Sequence, residues 1–470
     1  MTYPMAGPSN EFSNLRSGDL IELDEEPEFA DPALWDHDDD DALGAYEDDF
    51  AAKRDPYVSI REVPGPIFFL LVVLLVPSEV SVTIGSVLLP VYRMGLLVLV
   101  PFAAYRYFFG TAPSSRLADV GIVISAIWVG VSLANHYDLS LVIEPAGLWW
   151  VEAFVPYLAA RAWLTTPRKV TATLRLIAMI VCPLGLVGIA GSIMHVDPVD
   201  SVILPMLGRS QTQYGHRLGM QRVSLMFLHP IHWGVFAAVA FTATTTLFRG
   251  VLNRLVRLGT CLCAVVSSLS SGALAAVTVQ IGLISWNRLF ANNRHRWWIL
   301  LGGLAFIYVL ISLVSTRSPM RVAFTYLTFS SHTAYWRMII WEYGSAEVFR
   351  HPLFGIGFEE WERPAYMYSG SMDNFWLVIA VRHGLPALLG FCLIAVVPVI
   401  KGFRKLAQEG PRPTTEAYIF ALTGLIVSAC TVHYWLALLV FFTFFCGMAP
   451  GCLNDEADWE DPAFEDDALD

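Results

Sequence analysis

Charged residues are scarce in this chain: Asp, Glu, Lys and Arg together make up only 15% of its 470 residues. Apolar residues make up 55%, and the mean hydropathy is +0.52. This composition excludes an ordinary soluble globular protein, in which about 25% of residues are charged. Most of the chain is therefore predicted to lie in a lipid bilayer.

Basic residues are almost absent from both ends. Residues 1–50 contain only Arg16, and residues 451–470 contain no Lys or Arg, so 29 of the 30 basic but only 17 of the 42 acidic residues lie between them. The segments 1–60 and 453–470 are predicted to be disordered cytoplasmic tails, because they have too few apolar residues to offset the entropy of ordering. The acidic ends and the basic middle give no indication of a nucleic-acid partner.

Two further signals are missing. The N-terminal segment has no basic stretch followed by an apolar one, so no cleaved signal peptide is predicted. The seven cysteines lie in or beside apolar runs, and none of their spacings is that of a zinc site. They are interpreted as small apolar residues, and no metal site is predicted.

Long apolar runs fill residues 65–450. A membrane-spanning helix needs roughly 20 mostly apolar residues, and this criterion predicts an all-α polytopic membrane protein with about 12 transmembrane helices. The candidate spans are 66–81, 84–104, 118–136, 141–162, 174–193, 228–248, 258–270, 272–287, 297–315, 385–400, 416–432 and 434–450.

Basic residues predict the orientation of these helices. Arginines flank both ends of 258–287, which favours two short helices over one long helix, because both ends then face the cytoplasm. The same rule places the segments 194–226 and 316–384 outside and both termini in the cytoplasm. The chain is thus predicted to be a multi-pass protein of the bacterial inner membrane, with one large periplasmic loop, 316–384.

The predicted periplasmic loop contains residue types suited to binding a glycan. It is rich in aromatic and charged residues, including Trp336, Arg337, Trp341 and Trp376. Aromatic rings can cover sugar faces, and arginine can bind two phosphate oxygens at once. The alternative is a belt of interfacial Trp and Tyr residues that only anchors the loop.

The order of motifs in this loop is informative. Arg337 and Trp341 precede the sequence HPLFGIGF at 351–358, which is followed by Asp373-Asn374 and by Gly384. This pattern resembles the O-antigen ligase and Wzy-type polymerase superfamily, as do the segments 150–161, 221–234 and 268–272. Ligases of that group carry His, then Asn, Ser or Gln, then nine residues and Gly. Asp373 stands at the His position, which favours the exopolysaccharide polymerase branch.

The resemblance implies a membrane glycosyltransferase that joins oligosaccharide units carried on undecaprenyl pyrophosphate, without a metal ion or other cofactor. It implies growth at the reducing end of the polymer. Its partners would be the lipid-linked oligosaccharide, membrane lipid, and the flippase and the chain-length or export proteins of the same pathway. Arg222 and Arg337 match the arginines that the family uses to neutralise pyrophosphate, and Asp373 stands where the ligases have their base.

Each catalytic candidate also has a structural alternative. Arg222 could be an interfacial cation whose side chain extends to the membrane surface. Arg337 could form an ion pair with Glu342 or Glu347. Asp373 could cap a short helix that is predicted to hold it in the first turn.

Five further residues are predicted to contact the substrate: Glu152, Arg93, Trp341, Asn374 and Trp376. Glu152 and Arg93 are ionisable groups in or near apolar spans, where charge is unfavourable enough to make function the first hypothesis. A structural ion pair between them is an equal alternative.

The predicted function is that of a polysaccharide polymerase, and two rivals remain. An O-antigen ligase would transfer finished glycan to lipid A core or protein, although Asp373 in place of His disfavours it. A transporter or lipid flippase would explain the helices and the buried charges equally well. It would not explain the long aromatic loop.

Overall fold

The computed structural model describes residues 58–110, 115–208, 214–315, 322, 331–367 and 369–454. The described residues are mostly helical, and their strands form two short β-hairpins. Five helices are long and apolar enough to cross a bilayer: Arg116–His136, Leu139–Trp163, Pro167–Met194, Arg296–Val314 and Leu385–Glu409. The predicted all-α polytopic membrane fold is confirmed. Of the two predicted tails, residues 1–57 and 455–470 lie outside the described residues.

Every candidate span overlaps a helix. In the first half of the chain these are α1 Gly65–Leu74, α2 Val91–Phe109, α3 Arg116–His136, α4 Leu139–Trp149, α5 Val155–Trp163 and α6 Pro167–Met194. A π-helical turn, Trp150–Phe154, joins α4 to α5. In the second half they are α7 Pro230–Thr246, α8 Val251–Ser267, α9 Ser271–Leu289, α10 Arg296–Val314, α13 Leu385–Glu409, α14 Pro413–Ala429, α15 Ala437–Gly447 and α16 Ala449–Leu453.

One predicted span begins too early. The span 84–104 was expected to be helical throughout, but β1 Ser81–Ile84 pairs antiparallel with β2 Val87–Pro90, and α2 begins only at Val91. The β-branched residues of β1 favour an extended chain, and Gly85 at φ +64° supplies the turn. Pro90 then favours an extended backbone just before α2.

The region 258–287 forms two helices, as predicted. α8 and α9 are separated by residues 268–270, where Leu269 has a left-handed backbone with φ +46°. Both helices pack against α7, and α9 also packs against α14. The turn between them is therefore held inside the helix bundle, where its carbonyl groups can bind other segments.

Residues 331–367 and 369–384 of the predicted loop are folded and are together named here the 331–384 segment. It contains α11 Ser331–Arg350 and α12 Phe375–His383. Buried residues give it a small apolar core of its own, formed by Ile339, Ile340, Val348, Ile356, Trp361, Met367, Met372, Leu377, Ala380 and Val381. Burial of this surface from water stabilises the segment, so it can hold side chains in fixed positions.

The HPLFGIGF sequence docks the 331–384 segment onto α3. Trp128 of α3 donates its Nε1–H to the Leu353 carbonyl at 2.8 Å, and the Ser132 hydroxyl donates to the Phe354 carbonyl at 2.6 Å. The rings of Trp128 and Phe354 are also stacked, with centroids 5.6 Å apart. The motif therefore contributes a structural contact, because its polar backbone groups are bound by a membrane helix.

The same motif receives the end of α12. Ile356 N donates to Val381 O at 2.9 Å, and Gly357 N donates to Arg382 O at 3.0 Å. These bonds satisfy carbonyl groups that a helix end leaves unpaired. Gly384 then ends the helix with φ +82°. The position of α12, and of the residues just before it, is thus fixed by the motif.

Candidate active site

Two arginines from a short hairpin bind the turn between α8 and α9. The hairpin pairs β3 His216–Arg217 with β4 Met220–Gln221, and Arg222 follows it directly. Arg217 Nη1 donates to Leu269 O at 3.1 Å, and Arg222 Nε donates to Ser268 O at 3.3 Å. The turn therefore holds both guanidinium groups at one place.

A third arginine reaches the same turn from α11. Arg337 Nη2 donates to Ser271 Oγ at 3.0 Å and to Thr431 O at 3.1 Å. The alternative that Arg337 pairs with Glu342 or Glu347 is wrong, because its side chain points instead to α9 and to the end of α14. Glu347 faces Arg350 and His351.

Close packing fixes the turn that holds these arginines. A side-chain carbon at Gly272 would lie 2.3 Å from Val432 Cγ2, so a larger residue there would force Val432 or the backbone to move. Leu269 adopts a left-handed backbone that is uncommon for a non-glycine residue. This packed turn positions Arg217, Arg222 and Arg337 through their hydrogen bonds to Leu269, Ser268 and Ser271.

Arg337 and Asp373 line one cavity of about 400 Å³. Its walls also include Arg217 from the hairpin and Trp336 from α11. The remaining lining residues are Ile340, Met367, Ser369 and Ser371. Ser371 Oγ donates to Asp373 Oδ1 at 3.2 Å, which orients the carboxylate at the cavity wall. Two cations and one acidic group therefore face the same space.

Arg222 does not line this cavity, but it interacts electrostatically with Arg217 and Asp373, which do. Burial, together with the nearby charge of Arg217, lowers the pKa of Arg222 to about 10, while Tyr214 and Asp373 act in the opposite direction. Burial also lowers the pKa of Arg337, with Asp373 opposing this effect and Arg217 adding to it. A pKa of about 10 leaves Arg222 charged at neutral pH. The three arginines thus form a cationic site.

Some donors of this site have no partner within the described part of the chain. Arg222 Nη2 and Arg337 Nε are both buried and unpaired there. Buried donors without acceptors are unfavourable by about 1–3 kcal/mol each, so proteins leave few of them. The arginine side chains are therefore better suited to a site that an anion completes than to a purely structural role.

Asp373 is not the cap of α12. The helix begins at Phe375, and Asn374 is its N-cap, with Asn374 Oδ1 accepting a hydrogen bond from Leu377 N at 3.0 Å. Asp373 lies one position before this cap, so it is not in the first turn of the helix as predicted. It lines the cavity instead. The capping alternative for Asp373 is therefore wrong, because its neighbour performs that function.

The other predicted substrate contacts lie elsewhere. Arg93 Nε and Glu152 Oε1 form a buried ion pair at 2.8 Å between α2 and the π-helical turn, which matches the structural alternative. Trp376 donates to Ile426 O at 3.2 Å, and Asn374 is used as a cap. Trp341 lies on α11 and is 38% exposed. None of these residues lines the 400 Å³ cavity.

Sequence reasoning missed Arg217. Its position in the segment 194–226, which was predicted to face outside, is the signal that could have found it. Loops on that side of a membrane usually carry fewer basic residues than cytoplasmic loops, so an arginine in one of them is a candidate for a functional role. Arg217 and Arg222 both bind the α8–α9 turn and belong to one cationic site.

Asp197 was also missed, although it holds the loop that follows Arg222. Its Oδ2 accepts hydrogen bonds from Ser224 N at 2.6 Å, Ser224 Oγ at 3.0 Å and Leu225 N at 3.2 Å. Leu225 has φ +49°, so these bonds hold a backbone that leucine disfavours. The Asp197-Pro198 pair in the sequence indicates only the start of a helical turn. Asp197 is a positioning residue for Arg222.

Asp200 has an unusual pKa but does not line the cavity. Burial, followed by the charges of Asp197 and Glu79, raises the pKa of Asp200 to about 7. Such a value suits a general base at neutral pH. A base must also reach the reacting proton, and Asp373 lines the cavity whereas Asp200 does not. Geometry therefore favours Asp373.

Comparison with known proteins identifies a family for part of the chain. A family model described as O-antigen ligase matches residues 258–392, which include the α8–α9 turn, Arg337, Asp373 and Gly384. Arg217 and Arg222 precede the matched region. No curated protein matches the chain. Residues 258–392 thus carry an O-antigen ligase family domain, and the resemblance of the chain to the O-antigen ligase and Wzy-type superfamily is confirmed.

Proposed function

We propose that this protein is a polysaccharide polymerase that joins oligosaccharide units carried on undecaprenyl pyrophosphate. The observation that carries the proposal is the cavity in which Arg217 and Arg337 face Asp373, with Arg222 beside it. The family domain supports a membrane enzyme that processes glycans. We propose that the protein lies in the inner membrane, with the 331–384 segment in the periplasm and both termini in the cytoplasm. In this orientation the loops between helices that are rich in basic residues face the cytoplasm.

The arginines suit the leaving group of this reaction. When the glycosidic carbon of the donor is attacked, its bond to the pyrophosphate oxygen breaks and negative charge develops on the pyrophosphate. Guanidinium groups remain charged and can each donate two parallel hydrogen bonds to phosphate oxygens. Donors fixed in advance by the α8–α9 turn stabilise that charge without reorganising during the reaction.

Asp373 suits activation of the acceptor. Its carboxylate accepts the proton of an acceptor hydroxyl as the hydroxyl oxygen forms its bond to the donor sugar. The polymer is thereby transferred to the repeat unit, and undecaprenyl pyrophosphate is released. Ser371 Oγ donates to the carboxylate and keeps it oriented toward the cavity.

An O-antigen ligase is the second candidate, because the matching family model carries that description. A ligase would use the same pyrophosphate donor and differ only in its acceptor. The ligase pattern has histidine at the position of Asp373, and this difference favours the polymerase. A transporter is disfavoured because the buried charges of Arg93 and Glu152 pair with each other, and Glu152 also accepts a hydrogen bond from the Tyr92 hydroxyl.

Lipid-linked glycans in a deletion strain test the proposal. We expect undecaprenyl pyrophosphate carrying single repeat units to accumulate on the periplasmic side, where an added glycosidase can reach them in spheroplasts. Wild-type protein supplied on a plasmid should restore the polymer. Accumulation of long unattached chains would instead identify a ligase, and single units protected on the cytoplasmic side would identify a flippase.

Replacing Arg337 with lysine should lower the rate of polymer formation by about 10- to 100-fold, the effect of losing one or two charge-assisted hydrogen bonds. Lysine keeps the charge but cannot bind Ser271, Thr431 and a phosphate oxygen in the planar geometry of arginine. The rate is measured with purified protein and isolated lipid-linked repeat units.

Arg350→Lys on the same helix is the matched control. Arg350 is about half exposed and pairs with Glu362 on the surface, so its replacement should leave the rate unchanged. Equal rates for Arg337→Lys and the wild type would show that Arg337 does not bind the pyrophosphate.

A further inference from the structure

A second, smaller cavity lies beside the first. Its volume is about 210 Å³, and Ser371 belongs to the walls of both cavities. Its other lining residues are Trp361, Gly370, Met372, Val378, Val381, Arg382 and His433. Pockets for drug-sized ligands usually measure about 300–1,000 Å³, so this one is suited to a smaller group such as a single sugar residue.

Arg382 supplies a positive charge to this cavity. Arg382 Nη1 donates to Gly357 O at 2.9 Å and to Glu359 O at 2.6 Å, which leaves Nη2 and Nε without an acceptor in the part of the chain that the structure describes. Within that part it forms no ion pair, and nearby Glu360 is bound to Arg363. The guanidinium group can therefore donate to oxygen atoms of a ligand.

His433 supplies an uncharged polar ring from the loop between α14 and α15. The ring lies nearly parallel to those of Trp435 and Phe375, with centroids 5.4 and 6.3 Å away, so its orientation is fixed. Its Nδ1 is buried and has no partner within the described residues. Burial and the charge of Arg382 lower the pKa of His433 to about 4, so the ring is neutral at pH 7 and offers one donor and one acceptor.

The two cavities differ in a way that fits two substrates. The larger one has the arginines that a pyrophosphate requires, whereas the smaller one combines a single cation with a neutral histidine. Ser371 separates them and binds Asp373, the acidic group at the border. A group held in the smaller cavity would thus lie next to Asp373 and opposite the donor.

We propose that the smaller cavity binds the terminal sugar of the acceptor, with Arg382 and His433 contacting its oxygen atoms, and presents one hydroxyl past Ser371 to Asp373. This inference rests on the proposed function, since it assigns the acceptor site of that reaction. Arg382 and His433 thereby select the acceptor sugar, whereas Arg217, Arg222 and Arg337 bind the donor.

The test uses full-length protein and repeat units isolated from the deletion strain. His433→Phe keeps the ring stacking but removes both nitrogens. It should raise the KM for the acceptor about tenfold, as expected for one lost hydrogen bond, and leave the KM for the polymer donor within twofold. Arg382→Lys should act in the same direction. His351→Gln, which changes an exposed histidine of the 331–384 segment, is the control and should change neither constant.

A binding measurement separates this inference from the proposed function. The repeat-unit oligosaccharide, released from its lipid, should bind wild-type protein more tightly than His433→Phe by about tenfold even without a donor. Equal binding by both proteins, or a rise in the donor KM alone, would refute the acceptor site. If the wild-type protein forms no polymer but still binds the oligosaccharide more tightly than His433→Phe does, the polymerase is refuted and the binding site is retained.

Discussion

Replacing Asp373 with asparagine is expected to lower the rate of glycan joining by about 10² to 10⁴, the usual contribution of a general base. Asparagine has nearly the same shape but cannot accept a proton at neutral pH. Asp373 lines the cavity and Asn374 caps α12, so the substitution should leave the helix in place. The rate is measured with purified protein, and donor binding should remain close to that of the wild type.

Two further substitutions sharpen the expected result. Asp138→Asn changes an aspartate that precedes α4 and makes no capping hydrogen bond with its side chain, so it should leave the rate unchanged. Asp373→His places the ligase residue at the site and should be more active than Asp373→Asn, because histidine can also accept a proton. Near-normal joining by Asp373→Asn would show that another group is the base.

Gly384→Ala is expected to destabilise the folded protein by about 3 kcal/mol, the combined effect of backbone strain and a steric clash. Gly384 has φ +82° and ψ 175°, a combination that is essentially restricted to glycine. An added side-chain carbon would also lie 1.9 Å from Leu353 O and 3.0 Å from Phe354 N. The HPLFGIGF backbone would have to move, although it is bound to α3 by Trp128 and Ser132.

The stability of Gly384→Ala is measured in detergent as the temperature at which half of the protein remains monodisperse. Gly302→Ala in α10 is the control, because no other atom lies within 4 Å of the added carbon and the helical backbone accepts alanine. The two variants should differ clearly, with Gly302→Ala close to the wild type. If Gly384→Ala has the same transition temperature as the wild type, the backbone between α12 and α13 can rearrange to accept the added carbon.

Together, these two variants distinguish a loss of the reaction from a loss of the fold. Asp373→Asn should retain the fold and lose the reaction, whereas Gly384→Ala should lose both. Both residues belong to one motif, in which nine residues, 375–383, separate Asn374 from Gly384. The structure explains the spacing: Asn374 caps α12, residues 375–383 form it, and Gly384 ends it. The motif is thus a helix of fixed length with the candidate base placed before it.

Much of the fold could be predicted because hydrophobicity acts locally along the chain. Apolar runs located the helices, and flanking arginines separated α8 from α9. The boundaries were less predictable where other preferences competed. Residues 84–90 are apolar enough for a span, yet β-branched residues and Gly85 form a hairpin there.

The candidate site was less predictable because its residues are distant in sequence. Arg222, Arg337 and Asp373 came from the resemblance, which cannot say what they contact. Arg217 was missed, since its importance depends on a turn that lies about fifty residues further along the chain. Trp376 and Asn374 have residue types suited to binding sugar, but their side chains bind backbone atoms of the protein itself.

The sequence by itself determined that the chain is a polytopic helical membrane protein, because the bilayer requires long apolar segments whatever their tertiary contacts. It also carried the motif that revealed the family. Only the tertiary structure decided which polar residues share a cavity. A guanidinium or carboxylate acts through the few ångströms around it, and the neighbours of Arg217 and Asp373 are set by how the helices and the 331–384 segment pack.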